Sequence, residues 1–212
     1  MDLNQSIRSF SSQPLTHQVL LSLLKGYKRP NEKVHDLVRQ GILTPVRKGM
    51  YIAGPMLNTS RPESFLLANH ILGPSYVSLD TALSHYGIIP EKVFETASMT
   101  TKASRAFNTP VGLFTYIRLP LPYYAFGISR VRFPEDQYAL VASPEKALTD
   151  KIVSTAGLII RSRKAAREWL LENWRMNEDS IKNMDTQMMA EWLKDAPKRS
   201  SLAIVINAIS EL

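Results

Sequence analysis

YKRPNEKVHDLVRQGILTPVRKGMYIAG, residues 27–54, decides how this chain begins to fold. Pro30 pre-sets the backbone angle of a first helical position, where its missing N–H costs nothing, so a helix starts there. Arg29, just before that proline, is pushed extended. Val34, Leu37 and Val38 recur at helical spacing with Gly41 beyond them, predicting a helix over 30–40 whose buried side they form. Leu43–Val46 and Met50–Ala53 then flank Arg47-Lys48-Gly49, which reads as two short strands around a glycine turn with a basic tip. Upstream, Thr16 caps a helix with Val19, Leu20, Leu23 and Leu24 inside, and Gly26 breaks it. Two helices with a short break, then a hairpin, predict a winged helix-turn-helix over residues 1–54. Its first helix is the least evident part, because LNQSIRSF offers only a short, weak one.

The same stretch concentrates charge. Residues 1–54 hold Arg8, Lys25, Lys28, Arg29, Lys33, Arg39, Arg47 and Lys48 against Asp2, Glu32 and Asp36, so +5 of the net +7 lies in a quarter of the chain. Such a cluster favours a polyanionic partner, here double-stranded DNA. With Val34, Leu37 and Val38 inward, the helix turns Asn31, Glu32, His35, Asp36 and Arg39 outward, with Lys33 on the flank. Lys28, Arg29 and Asn31 sit at its start, where helix ends favour phosphate and asparagine can pair with adenine. Arg39, Arg47 and Lys48 would hold phosphate or enter a minor groove. The candidate DNA-binding residues are therefore Lys28, Arg29, Asn31, Lys33, His35, Arg39, Arg47 and Lys48. Two plainer readings compete: an ordinary solvated face, and a protein-docking module built on the same motif.

Outward from this unit, PMLNTSR at 55–61 is turn-rich and polar and reads as a linker. Residues 62–212 form a second unit, giving an α+β chain overall: the winged helix-turn-helix, then a mixed α/β domain with a small sheet and a helical end. A helix is expected at about Pro62–Leu72, with Phe65, Leu66 and Ile71 apolar, ended by Gly73-Pro74. Ser78 caps a second helix carrying Leu79, Ala82, Leu83 and Tyr86 on one face, which Gly87 stops. Phe94–Thr100, Leu113–Arg118, Ile128–Phe133 and Tyr138–Val141 read as strands between prolines. Ser143 caps a helix with Pro144 at its first position. Helices at about 161–174, 178–183, 185–195 and 199–211 follow. Trp169, Trp174 and Trp192 are read as core of this helical end.

Composition narrows the chemistry. The chain has 212 residues, 44% of them apolar, and no cysteine, which excludes disulfides, Cys-ligated metal and a Cys nucleophile. The N-terminus MDLNQSIRSF lacks a signal-peptide h-region and no apolar run approaches membrane-spanning length, so a soluble cytoplasmic protein without membrane contact is expected. His17, His35, His70 and His85 lack metal-binding spacing, and no P-loop, G-x-G-x-x-G or G-x-S-x-G occurs. No acid has Lys two positions on, as a restriction-like nuclease would require. Glu145 and Asp150, five apart on one short helix, read as a surface coincidence. No catalytic residue, metal or cofactor is expected.

Three segments resemble AbiEi-type antitoxins: residues 27–54, SYVSLDTALSHYGIIPE at 75–91 and VASPEKALTDKI at 141–152. They stand in family order, and the resemblance covers about residues 12–160. It implies a DNA-binding antitoxin of a type IV toxin–antitoxin system, often serving phage defence. Such a protein represses its own promoter by binding repeats there. It counteracts a nucleotidyltransferase-like toxin without a stable complex. Carried over by position, DNA reading falls to Lys28 through Arg39 and the wing at Arg47 to Tyr51; antitoxicity falls to the unit from about Pro62 onward. Motif positions there are Ser78, Leu79, Ala82, Tyr86 and Gly87, and Pro144, Glu145, Lys146, Ala147 and Leu148, most of which also read as caps and core. Two copies on an inverted repeat are compatible with this. The rival expectation is a nucleic-acid-processing enzyme that such a winged helix would target.

Overall fold

The computed structural model describes residues 2–212, which form an α+β protein with two sheets. The chain opens with α1 (Leu3–Arg8), β1 (Leu15–Thr16), α2 (His17–Leu23) and α3 (Pro30–Arg39). The hairpin β2 (Leu43–Arg47) and β3 (Met50–Ala53) follows. The weak first helix forms and buries Ile7. Thr16 Oγ1 accepts the Val19 N–H at 3.3 Å, capping α2. Arg29 stands outside α3 in a non-helical conformation, as the following Pro30 requires. The three strands run antiparallel in the order β1-β3-β2, so the two-residue β1 widens the expected hairpin.

This hairpin is apolar on both faces. Leu43 and Ala53 join Ile7, Leu15, Leu20, Leu24, Val34, Leu37 and Leu57 in a small core. Val46, Met50 and Ile52 instead join the large core of the second unit. Alternation along a strand sends neighbours to opposite sides, so one ribbon closes both cores. Where α3 meets the hairpin, the backbones touch: Gly41 adopts φ +69°, and a Cβ on Gly54 would lie 2.2 Å from the Gly41 carbonyl oxygen. Glycine is required there because backbone cannot yield as a side-chain tip would.

Residues 55–61 are fastened at both ends. Leu57 is buried, the Ser60 hydroxyl donates to Glu135 Oε2 at 2.8 Å, and the Glu63 N–H donates to Gln137 Oε1 at 2.7 Å. Then come α4 (Ser64–Ile71), β4 (Ser75–Val77), α5 (Leu79–His85), β5 (Glu95–Thr100), β6 (Arg105–Thr109) and β7 (Gly112–Arg118). The strands β8 (Ile128–Phe133) and β9 (Gln137–Ala142) follow, then α6 (Pro144–Ser154) and α7 (Arg163–Arg167). The chain ends with α8 (Glu178–Lys182), α9 (Thr186–Glu191) and α10 (Arg199–Ile209). Pro62 precedes α4 rather than entering its first turn, and the buried positions are Leu67, Ala68 and Ile71 instead of Phe65 and Leu66. The expected small sheet has six strands in the order β6-β7-β5-β4-β9-β8. Its β4 is only three residues, and the edge strand β6 is mostly polar and exposed, so neither shows a strand pattern. The expected helix over 161–174 is α7 followed by a π-helical stretch, Glu168–Asn173. Trp169 and Trp174 pair at 5.6 Å, while Trp192 stacks on Phe126 at 6.3 Å.

One buried carboxylate joins distant segments. Ser78 occupies the position before α5 but makes no cap bond; its hydroxyl donates to Asp150 Oδ2 at 2.8 Å. The expected cap is lost because a fully buried carboxylate competes for the same donor. The Tyr76 hydroxyl donates to the same oxygen at 3.0 Å, and Lys146 Nζ lies 2.9 Å from Asp150 Oδ1. Lys146 and Asp150 are both 0% exposed, so Asp150 is no surface group, contrary to its reading from spacing. Burial pushes the Asp150 carboxyl up and the Lys146 ammonium down, and the ion pair opposes both shifts. Lys146 also donates to the Tyr123 carbonyl at 2.9 Å and lies 3.4 Å from the Tyr123 ring centroid. Leu79, next to Ser78, is held at φ +57°, a strain of about 1–3 kcal/mol that persists only where surroundings over-determine it. Replacing Asp150 by alanine strands a buried ammonium and is expected to destabilise the fold by about 3–5 kcal/mol in urea denaturation. Replacing Ser78 by alanine removes one hydrogen bond of the set and should cost only about 1–3 kcal/mol by the same measurement. Equal, small losses for both would show that Asp150 does not anchor the network.

Candidate nucleic-acid interface

The eight residues proposed for DNA contact divide by what else holds them. Val34 and Leu37 are each 2% exposed, so α3 is pinned inward as expected and turns Asn31, His35 and Arg39 to solvent. Arg29 Nη1 lies 3.2 Å from Glu32 Oε1, and Arg39 is ion-paired to Asp36. Both pairs are exposed and so worth at most about 1 kcal/mol, weak enough for a phosphate to displace. Each arginine nonetheless carries its own acid, which offsets the local field. Asn31 Oδ1 is 3.1 Å from His17 Nε2, so a bidentate pairing with adenine would first have to break that contact. The Lys33 ammonium lies 5.5 Å from the Tyr27 ring centroid. The side chains of Lys28, His35 and Lys48 are exposed and make no hydrogen bond or ion pair among the described residues.

Arg47 departs from its reading as a free wing tip. Its guanidinium donates to the carbonyl of Ile71, the last residue of α4. A cation there satisfies one of the orphan carbonyls of a helix end and meets the negative end of its dipole. The tip that remains free is Lys48-Gly49, with Gly49 at φ +77° for the turn. Arg47 still has no carboxylate within ion-pair distance, so its charge is uncompensated. Lys48 shares that condition.

Two cations absent from the expected set stand near this turn. Lys102 and Arg105 line a groove together with Arg47 and Lys48. A signal for them exists in the sequence: between Glu95 and Glu135 the chain carries Lys102, Arg105, Arg118, Arg130 and Arg132 and no acid. Counting charge by unit conceals that run, because the second unit as a whole is close to balanced.

Elsewhere the polar clusters look structural. Lys151 pairs with Asp80 and lies 4.9 Å from the Trp174 ring centroid, and Arg175 pairs with Glu91. Among the described residues, no three His, Asp or Glu side chains converge in a metal-holding group. No helix among them is long and apolar enough to cross a membrane. No protein-family model and no curated protein gives a significant match to the chain.

The two roles of Arg47 are separable. Arg47→Ala should lower stability by about 1–3 kcal/mol in urea denaturation, through the stranded Ile71 carbonyl, whereas Lys48→Ala should leave it within about 0.5 kcal/mol. A neutral Arg47→Ala would mean the contact to α4 contributes nothing.

Proposed function

We propose that residues 1–54 are a winged helix-turn-helix that reads double-stranded DNA and that the whole chain is an antitoxin of a type IV toxin–antitoxin system. In this reading it represses its own promoter, and the part beyond about residue 62 counteracts a nucleotidyltransferase-like toxin without a stable complex. The observation that carries the DNA half is the arrangement of α2, α3 and the three strands, with α3 exposed on its polar side and Lys28 and Lys48 uncompensated at either margin. The antitoxin half rests on the resemblance of the segments at 75–91 and 141–152. Supporting it, those two segments meet at the bond between Ser78 and Asp150, so the resembling residues form one structural element rather than scattered matches.

On DNA, α3 would enter a major groove with Asn31 and His35 toward base edges, and Lys28, Lys33 and Lys48 on phosphates. Arg29 and Arg39 exchange their acidic partners for phosphate at small cost. Two copies would occupy an inverted repeat.

Charge reversal of Lys28 and Lys48 together is expected to weaken binding to the duplex upstream of the gene at least tenfold. It should also flatten the dependence of log K on log salt by about 0.9 per contact, measured by gel shift across a salt series. Unchanged affinity and slope would refute the DNA reading. Expressed beside its neighbouring nucleotidyltransferase-like toxin, the same double variant should still restore growth as well as the unmodified chain. Failure of the unmodified chain to restore growth would remove the antitoxin half and leave the DNA half standing.

A further inference from the structure

Between the hairpin turn and the free edge of the six-stranded sheet runs a groove of about 670 Å³. Val46, Arg47 and Lys48 form one wall, the end of α4 from His70 to Gly73 another, and Lys102, Arg105 and Phe107 the third, with Asn108 and Thr109 at one end. No acid lines it, and none of Arg47, Lys48, Lys102 or Arg105 has a carboxylate within ion-pair distance. By contrast, Arg29 just before α3 and Arg39 at its end are paired to Glu32 and Asp36. Like charges held together without counter-charges raise the local potential and concentrate anions. The groove therefore holds four cations with no counter-charge among the described residues.

Its wall is also aromatic. Arg105 and Phe107 alternate on one face of β6, opposite Tyr116 and Phe114 of β7. The Phe107 ring is half-buried and held edge-on by Tyr116, with centroids 5.8 Å apart and planes at 87°. The Arg105 guanidinium lies 5.8 Å from the same ring. Because β6 pairs only with β7, its outer backbone donors and acceptors are unpaired. Cations that follow a backbone and a braced aromatic ring for a base are what single-stranded nucleic acid requires. A duplex keeps its base faces stacked inside and could not lay one on Phe107 without extruding it.

We propose that this groove binds single-stranded nucleic acid, with phosphates on Lys48, Lys102 and Arg105 and a base against Phe107. The site shares Lys48 with the proposed duplex interface but includes no residue of α3, and it does not depend on α3 reading duplex DNA.

The test is fluorescence anisotropy on the full chain with a labelled oligothymidylate and a labelled oligouridylate of about ten nucleotides. The double variant Lys102→Glu, Arg105→Glu alters exposed side chains without hydrogen-bond or ion-pair partners among the described residues, so the fold should survive; far-UV ellipticity checks this. It should weaken both oligonucleotides at least tenfold and reduce the salt slope by about 1.4, two contacts at about 0.7 each. Phe107→Leu, which keeps the apolar packing, should weaken them at least fivefold with the slope unchanged, since stacking releases no counterions. Lys28→Glu should change neither affinity more than twofold. A preference for uridylate over thymidylate would assign RNA as the ligand, and the reverse DNA; either supports the site. The proposal is overturned if the oligonucleotides do not bind or if the double variant leaves them unaffected. It is equally overturned if poly-glutamate displaces them at equal charge concentration, or if Phe107→Leu has no effect, because charge alone would then explain the groove.

Discussion

Asp150 is the group on which the second unit depends. A carboxylate with no exposure is costly to remove from water, by several kcal/mol even after relaxation. Here the cost is offset by Tyr76 from β4, Ser78 at the threshold of α5 and Lys146 one turn back in α6. Each partner belongs to a different element, so satisfying one side chain fixes strand, turn and helix together. Lys146 is as deeply buried and needs the Tyr123 carbonyl and ring to complete its own shell. The members are unequal: without Ser78 the carboxylate keeps Tyr76 and Lys146, whereas without Asp150 the Lys146 ammonium is left buried with no counter-charge. The left-handed Leu79 is intelligible on these terms, since its neighbour Ser78 is not free to relax.

Charge placement follows a different logic at the two ends of the basic surface. On α3, arginines three residues from acids find each other along the helix, as side chains at that spacing do. At the hairpin turn and β6, the cations come from segments remote in sequence, and no acid accompanies them. Net charge per segment therefore misjudges where an anion is drawn. What counts is whether folding brings a carboxylate along.

Much of the first unit was legible because local signals carry it. Pro30, Gly41, the Thr16 cap and the glycine turn each act within a few residues, and the corresponding elements stand where those residues put them. The second unit was legible at its caps and apolar stripes: Ser143 caps α6, and Leu202, Val205, Ile206 and Ile209 are buried on α10. Asp150 was not: Tyr76 and Ser78 lie about seventy positions away, and a lysine one turn back, Lys146, is as common on a solvated helix face as in a buried pair. The contact of Arg47 to the Ile71 carbonyl was hidden for a similar reason: the end of α4 lies beside the turn only once the chain has folded. The unbroken apolar run Met50-Tyr51-Ile52-Ala53 did carry a readable sign, because a strand facing water on one side alternates and this one does not. The exposure of Asn31, His35, Arg39 and Lys48 was readable from position alone, whereas Lys102 and Arg105 acquire their neighbours only through the sheet.

The two-faced hairpin limits how this chain could have been assembled or could be re-engineered. A unit that stood on its own could be exchanged by recombination at a boundary. Here a transplanted first unit would have to bring apolar side chains at the positions of Val46, Met50 and Ile52 to close a core that is not its own. Substitutions that leave both cores intact are thus confined to the outer face of α3 and the Lys48 turn, while the rear of the ribbon is tied to the domain behind it.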